Sequence, residues 1–367
     1  MAEKKEHEPM KVVRALFALG SALILTGCSW LSPATNVVEE ISPTILMYLS
    51  QSGDSELECT IVVPAVKNEK KQVLTVRGRS MKETRLKLNF IHNREFKSGQ
   101  MRMLFLSEDL ARGGVIRHLN TLLLDQEITD RLYLAVVRGD FAGFLREQIR
   151  LQKNYDRILY KRFRHYENQV TQQNLHFFLR DYYSHYADPH LPLFEVRDEQ
   201  LVYTGTALFR DDRMVGGVPE DEDTFFQMID NQHGHFPIVP FPEREVVLGK
   251  VTTTRKIRYD AGRGGIVITL RMEGQVDEYT GDKNLGNRHE AEQFIRELKE
   301  DLEERIRELV RSLQRMSVDP LQAGLSTVTP FRERFPGEEW RRVWPDMPVT
   351  VRVDLGLTNL GISKPEE

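Results

Sequence analysis

The sequence predicts an α+β protein of about three domains, the last a mostly antiparallel sheet packed by one long helix. Three observations lead there. At 367 residues the chain exceeds the usual size of one domain. Hydrophobic residues at 40% and charged residues at 29% are the mix of a globular chain with a packed core. Strand-like alternation and helical three- and four-residue spacing both recur along the chain.

The elements follow in order. TILMYLS and LECTIVV read as strands on either side of the turn cluster QSGDSE, and KQVLTVR as a third. Ser80-Met81-Lys82-Glu83 is a capping box, so a helix should open there and run toward His92. RMLFLS is a strand, and Ser107-Glu108-Asp109 starts a helix. LYLAVV and the stretch from Asp140 repeat that order, which defines an N-terminal α+β domain over residues 43–195. Residues 200–218 form a hairpin turning at Arg210-Asp211-Asp212-Arg213, followed by a short helix, EDTFFQMID. With the Pro-rich HFPIVPFPE read as a linker, this makes a small central domain over residues 196–243.

Residues 244–367 give the C-terminal α+β domain. EVVLGKVTTTRKIRYD and GIVITLRMEGQV are long strands joined by a turn at Gly262, Gly264 and Gly265. A helix near Arg288–Met316 carries Phe294, Ile295, Leu298, Leu302, Ile306, Leu309, Leu313 and Met316 as one apolar stripe. Asp301/Arg305 and Glu303/Arg307 are expected as ion pairs on its wet face. Val349, Val351, Val353, Leu355 and Leu357 alternate with polar residues and Gly356, a strand with one buried face.

The N-terminus has its own logic. Lys11 and Arg14 precede an apolar run that ends at Leu25. That run is shorter than the roughly 20 residues of a membrane-spanning helix. It fits the apolar region of a secretory signal peptide. Leu25-Thr26-Gly27-Cys28 then resembles a bacterial lipobox, with small residues before the cleavage point and a thiol to carry a diacylglyceryl group. On this reading residues 1–27 are a signal peptide, Cys28 is the lipid anchor, and residues 28–42 are a lipidated linker. The competing readings are a buried N-terminal helix, an uncleaved anchor, or a disulfide from Cys28 to Cys59, the only other cysteine. An acylated Cys28 leaves Cys59 as a free, buried thiol. It also puts the mature chain on the outer face of the cytoplasmic membrane, where two acyl chains hold stably. The polar extension at residues 1–9 has no role in this scheme.

Chemistry is sparse. His185, Asp188 and His190 lie in SHYADPHLP, and His233 and His235 in DNQHGHFP. A catalytic zinc site also needs a third ligand and an ordered second shell, and no HExxH or Cys pair supplies one, so loop histidines are the simpler reading. There is no GxSxG elbow, P-loop or strand-borne GxGxxG, so no catalytic, metal or cofactor-binding residue is assigned. A net charge of −4 gives no basic surplus for nucleic acid. Arg146, Arg150, Lys153, Arg157, Lys161 and Arg164 recur at helical spacing as one basic stripe. A solvated helix face is the ordinary reading; contact with anionic headgroups or an acidic partner is the functional one.

Several segments together resemble the Ger(x)C family, the C-subunit lipoproteins of spore germinant receptors. These are LTGC with Trp30 close behind, VRGRSMKETRLKL with GQMRMLFLSEDLARGGV, VYTGTALFRDDRMVGGV, and SVDPLQAGL with EEWRRVWPDMPVTVRVDLGLTNLG. The family commonly places Trp directly after the lipidated Cys, followed by an acidic run; here Ser29 intervenes and the run is missing. The resemblance implies a three-domain α+β ectodomain with no enzymatic activity and no cofactor beyond the diacylglyceryl lipid. It implies two polytopic membrane partners, one ligand-sensing and one transporter-like, and the outer face of the spore inner membrane as the location. Two rival functions stay open: a solute-binding lipoprotein feeding a transporter, and a lipid-anchored hydrolase using the histidine loops.

Overall fold

The computed structural model describes residues 41–360, except 54–55, 64–70, 92–94, 126–127, 130, 166–170, 172 and 331. Residues from Ser42 onward form one compact unit. Its first half runs β1 (Leu46–Ser52), β2 (Glu56–Val63), β3 (Gln72–Gly78), α1 (Met81–Ile91), β4 (Met103–Ser107), α2 (Glu108–Gly113), α3 (Ile116–Leu123), β5 (Tyr133–Arg138), α4 (Phe141–Leu151), α5 (Tyr155–His165), β6 (Gln173–Asn174), α6 (Leu175–Tyr182) and β7 (His190–Arg197). The second half runs β8 (Gln200–Arg210), β9 (Arg213–Pro219), α7 (Glu220–Asp230), β10 (His233–Phe241), β11 (Val246–Asp260), β12 (Gly265–Tyr279), α8 (Arg288–Arg315), α9 (Glu338–Val343) and β13 (Val349–Thr358).

The centre of the large sheet is parallel: β1 pairs β4, β4 pairs β5, and β5 pairs β7 in the same direction. Parallel neighbours need crossovers, and the crossover helices cover both faces. Hence β4 is buried at all five residues, with Met103 to Leu106 an unbroken apolar run rather than an alternating one. Along β1 and β4 the two faces still separate. Met47, Leu49, Leu104 and Leu106 pack under α1, α2, α3 and α6, while Leu46, Tyr48, Met103 and Phe105 pack under α4 and α5. The caps are as the sequence implies. Ser107 Oγ accepts from Leu110 N and Asp140 from Gly143 N. Ser80 Oγ accepts from Glu83 N, but Glu83 reaches one residue further back than expected, to Arg79 N at 2.8 Å.

Two expectations change. The hairpin at residues 200–218 forms, but as β8 and β9 it extends the large sheet, in the order β9-β8-β7-β5-β4-β1-β2-β3, with β6 on β5. The expected boundary at 195/196 therefore falls inside paired strands, since Gln200–Leu208 is in register with Arg197–His190. The Pro-rich segment is not a linker. It is strand β10, the edge of a four-stranded sheet ordered β10-β11-β12-β13, ended by a single 3-10 turn at Pro242–Arg244. An edge strand tolerates Pro237 and Pro240 because one of its sides needs no N–H donors.

That second sheet is antiparallel except for β12 with β13, and α8 lies across it. The helix buries Phe294, Leu298, Leu302, Ile306, Leu309 and Leu313, with Ile295 and Met316 half-buried at the margins. Its wet-face pairs are redrawn by tertiary neighbours. Asp301 holds Arg244, Arg305 holds Glu243, Arg307 holds Glu304, and Glu303 accepts from Val353 N at 2.9 Å. Leu208 and Val218 of the large sheet join the core under α8, so the two sheets share apolar packing.

Candidate functional site

Cys28, Leu25, Thr26 and Gly27 lie outside the described residues. Among the described residues no helix is long and apolar enough to cross a membrane. Cys59 is free and buried on β2, and burial pushes its thiol up to about 12, so it is neither a disulfide partner nor a nucleophile.

The histidine spots separate. His185 is exposed, and His233 and His235 are exposed on the edge strand β10. No group of three or more His, Cys, Asp or Glu suited to a metal is present among the described residues. His190 is different: it sits at the start of β7, buried. Its Nε2 lies 2.9 Å from Gln173 Nε2 and 3.2 Å from Asp230 Oδ2 at the end of α7. Burial pushes the imidazole down, but Asp230, Asp181 and Asp223 outweigh it and hold the pKa above the ordinary value. Asp223 itself accepts from Tyr203, Thr206 and Gln227 at 2.5–2.6 Å, while its burial raises its pKa.

This network lines a cleft of about 270 Å³ whose walls include Thr171, Gln173, Arg180, His190, Asp230 and Arg255. Arg255 belongs to the face of β11 that points inward, alternating with exposed Thr254 and Lys256. Its Nη1 donates to Leu321 O at 2.7 Å, and burial lowers its pKa. In the sequence His190 reads as a loop histidine, because its partners come from other elements, Gln173 of β6 and Asp230 of α7. The only local hint was a His opening an apolar run, LPLFEV.

A second buried acid organises the C-terminal signature. Asp319 accepts from Ala323 N and Gly324 N at 2.9 Å and from Trp340 Nε1 at 3.0 Å. Its own N–H donates to Asp188 Oδ2 at 2.7 Å, and Asp188 N donates back to Asp319 O at 3.0 Å. Trp344 Nε1 donates to Val318 O at 2.7 Å. A Cβ on Gly324 would stand 2.6 Å from the Trp340 indole nitrogen, so glycine is required at this close approach. Asp188 is therefore a structural acid that ties the 317–325 segment to the large sheet, not a ligand.

The basic stripe is real but falls on two helices. Arg146 and Arg150 lie on α4, Lys153 in the break between the helices, and Arg157, Lys161 and Arg164 on α5. All six are exposed, opposite the face that buries Phe144, Leu145, Leu159 and Phe163. Arg150 is paired with Glu147, and Arg146 donates to Thr75. A surface groove gathers Ile45, Arg102, Arg157, Lys161 and Arg164, next to the residues where the described fold begins.

Two family models cover most of the chain. The "Spore germination protein N-terminal domain" matches residues 35–196, and "Spore germination B3/GerAC like, C-terminal" matches residues 204–361. The chain is 20% identical over 354 residues to "Spore germination protein GerQC" of Bacillus cereus, covering 94% of this chain and 97% of that protein. It is similar to the solved structure titled "Crystal Structure of the GerBC protein" at 13% identity and a TM-score of 0.49, covering 85% of this chain and 97% of that one.

Proposed function

The chain belongs to the Ger(x)C family of spore germination proteins, the germinant receptor C subunits, and from that premise we propose that it is a lipid-anchored, non-catalytic receptor subunit. The observation that carries the reading is the match of both family models in order across the chain, preceded by a lipobox-like Leu25-Thr26-Gly27-Cys28. Cys28 bears the diacylglyceryl group and holds the folded unit on the outer face of the membrane, the spore inner membrane in a spore former. The folded unit acts by contact with the membrane-embedded subunits of the receptor. The basic face of α4 and α5 supports an approach to anionic headgroups, because it stands close to Ile45 and so to the root of the linker from Cys28.

The best-placed histidine, His190, is buried in a hydrogen-bonded network, and the exposed ones stand apart from any nucleophile or metal set. The test is genetic. Spores lacking this chain, in a background without other germinant receptors of the class, should lose nutrient-triggered germination and regain it on complementation. Unchanged germination in the null would overturn the reading. Substituting His185, His233 or His235 by Ala should leave complementation intact; loss of germination with an intact fold would point to the hydrolase reading instead.

A further inference from the structure

We propose that the cleft between the large sheet and the four-stranded sheet is a binding site for a small zwitterion, with Arg255 receiving its anionic end and the Gln173 and Asp230 side receiving its donor end. The first support is where the unsatisfied polar atoms lie. Among the described residues four buried side-chain atoms have no hydrogen-bond partner: Gln173 Oε1, Asp181 Oδ2, His190 Nδ1 and Thr253 Oγ1. Buried polar groups are nearly always paired, so each orphan needs an explanation. Gln173 and His190 line the cleft, and Asp181 is bonded through Oδ1 to Arg180 and Gln322, which also line it. Two of the four orphans thus belong to residues lining one 270 Å³ space, and a third, on Asp181, lies one bond behind its wall.

Charge supplies the second support. Arg255 points inward from the face of β11 that also carries Val251, Thr253 and Ile257. One of its five N–H groups is used, on Leu321 O, and no carboxylate among the described residues lies within ion-pair distance. Asp230 and Asp319 offset its burial only through space, so a partly buried guanidinium with no contacting carboxylate gains from a ligand that supplies one. Asp230 also lines the cleft, paired with His190. A simple anion would satisfy Arg255 but leave the orphan acceptor Gln173 Oε1 unmet. A simple cation would do the reverse. A molecule of a few heavy atoms with a carboxylate or sulfonate at one end and an ammonium at the other answers both. In the tautomer whose Nε2 accepts from Gln173 Nε2, His190 Nδ1 carries the proton and adds a donor to the anionic end.

The site does not depend on the lipid anchor, so its test is separable from that reading. Thermal unfolding of the purified full chain is followed with glycine, β-alanine and taurine as zwitterionic probes. Sodium acetate and methylammonium chloride serve as the two halves, at matched ionic strength. The expected result is a saturable rise in melting temperature with at least one zwitterion, and none with either half over the same range. Arg255→Gln should weaken that binding at least tenfold. Gln232→Trp, at the exposed rim, should do the same by filling the mouth while leaving the unliganded melting temperature unchanged. No shift with any of the three zwitterions would overturn the proposal and leave a water-filled cleft. Equal shifts with acetate alone, or unaltered binding in both folded variants, would also overturn it.

Discussion

At the scale of single residues, two buried groups set measurable behaviour. Cys59 is a hydrophobe in practice: native protein should not react at this position with a thiol reagent, and unfolding in urea should release it. Rapid labelling of Cys59 in the native state would contradict its burial. Asp319 is pushed up to about 7 and Asp188 to about 6, in both cases chiefly by burial. Their folded-state values exceed the unfolded value near 3.9, so the native state keeps protons that the unfolded chain releases. Stability from these two groups is full below about pH 4 and is lost as pH rises toward 6–7. Urea unfolding at pH 5 and pH 7.5 should therefore show a steeper loss in wild type than in Asp319→Asn. The variant should also be weaker at pH 5 by about 1–3 kcal/mol, because its amide cannot accept from all three donors. Parallel pH profiles would count against the buried-acid account.

At the scale of elements, the amphipathic pattern carries most of the information. The stripe on α8 was readable because 3.6-residue periodicity is a local property, and Leu302 and Ile306 are indeed fully buried. Leu302→Ala should cost about 2–5 kcal/mol in chemical unfolding, and a cost near zero would mean that α8 does not close this core. What local patterns missed has a common cause, which is long-range partners. The expected Asp301/Arg305 pair loses to Arg244 and Glu243 of the adjoining turn. Likewise, the proline-containing β10 reads as a linker until β11 is seen to pair with it. The basic stripe was legible as spacing, although the chain breaks at residues 152–154 between two helices. Replacing Arg157, Lys161 and Arg164 together by Gln should change stability by less than about 0.5 kcal/mol, since exposed charges contribute little. It should at the same time weaken association of the protein with vesicles containing anionic lipid. Unchanged, salt-sensitive vesicle binding would remove this face from the proposed contact.

At the scale of the whole molecule, the α+β class was legible but the fusion of segments was not. Sequence alone could not show that β8 and β9 complete the sheet begun by β1, because pairings such as Leu46 with Met103 and Val136 with Leu193 join strands separated by helices and leave no local trace. The buried cleft was invisible for the same reason: Gln173, His190, Asp230 and Arg255 come from four separate elements. Because Leu208 and Val218 place the large sheet in the core under α8, the described unit should unfold cooperatively. Fluorescence of buried Trp340 and Trp344 should then follow the same urea transition as far-UV circular dichroism, and two separated transitions would contradict a shared core. The central claim is that a folded contact module works from a lipid tether at Cys28. The most direct measurement is germination of null spores complemented with wild type or Cys28→Ala, with both proteins quantified in the spore inner membrane. Marked loss of membrane retention together with weakened germination in the variant is the predicted result. Full germination by Cys28→Ala, with the protein retained at wild-type level, would contradict it.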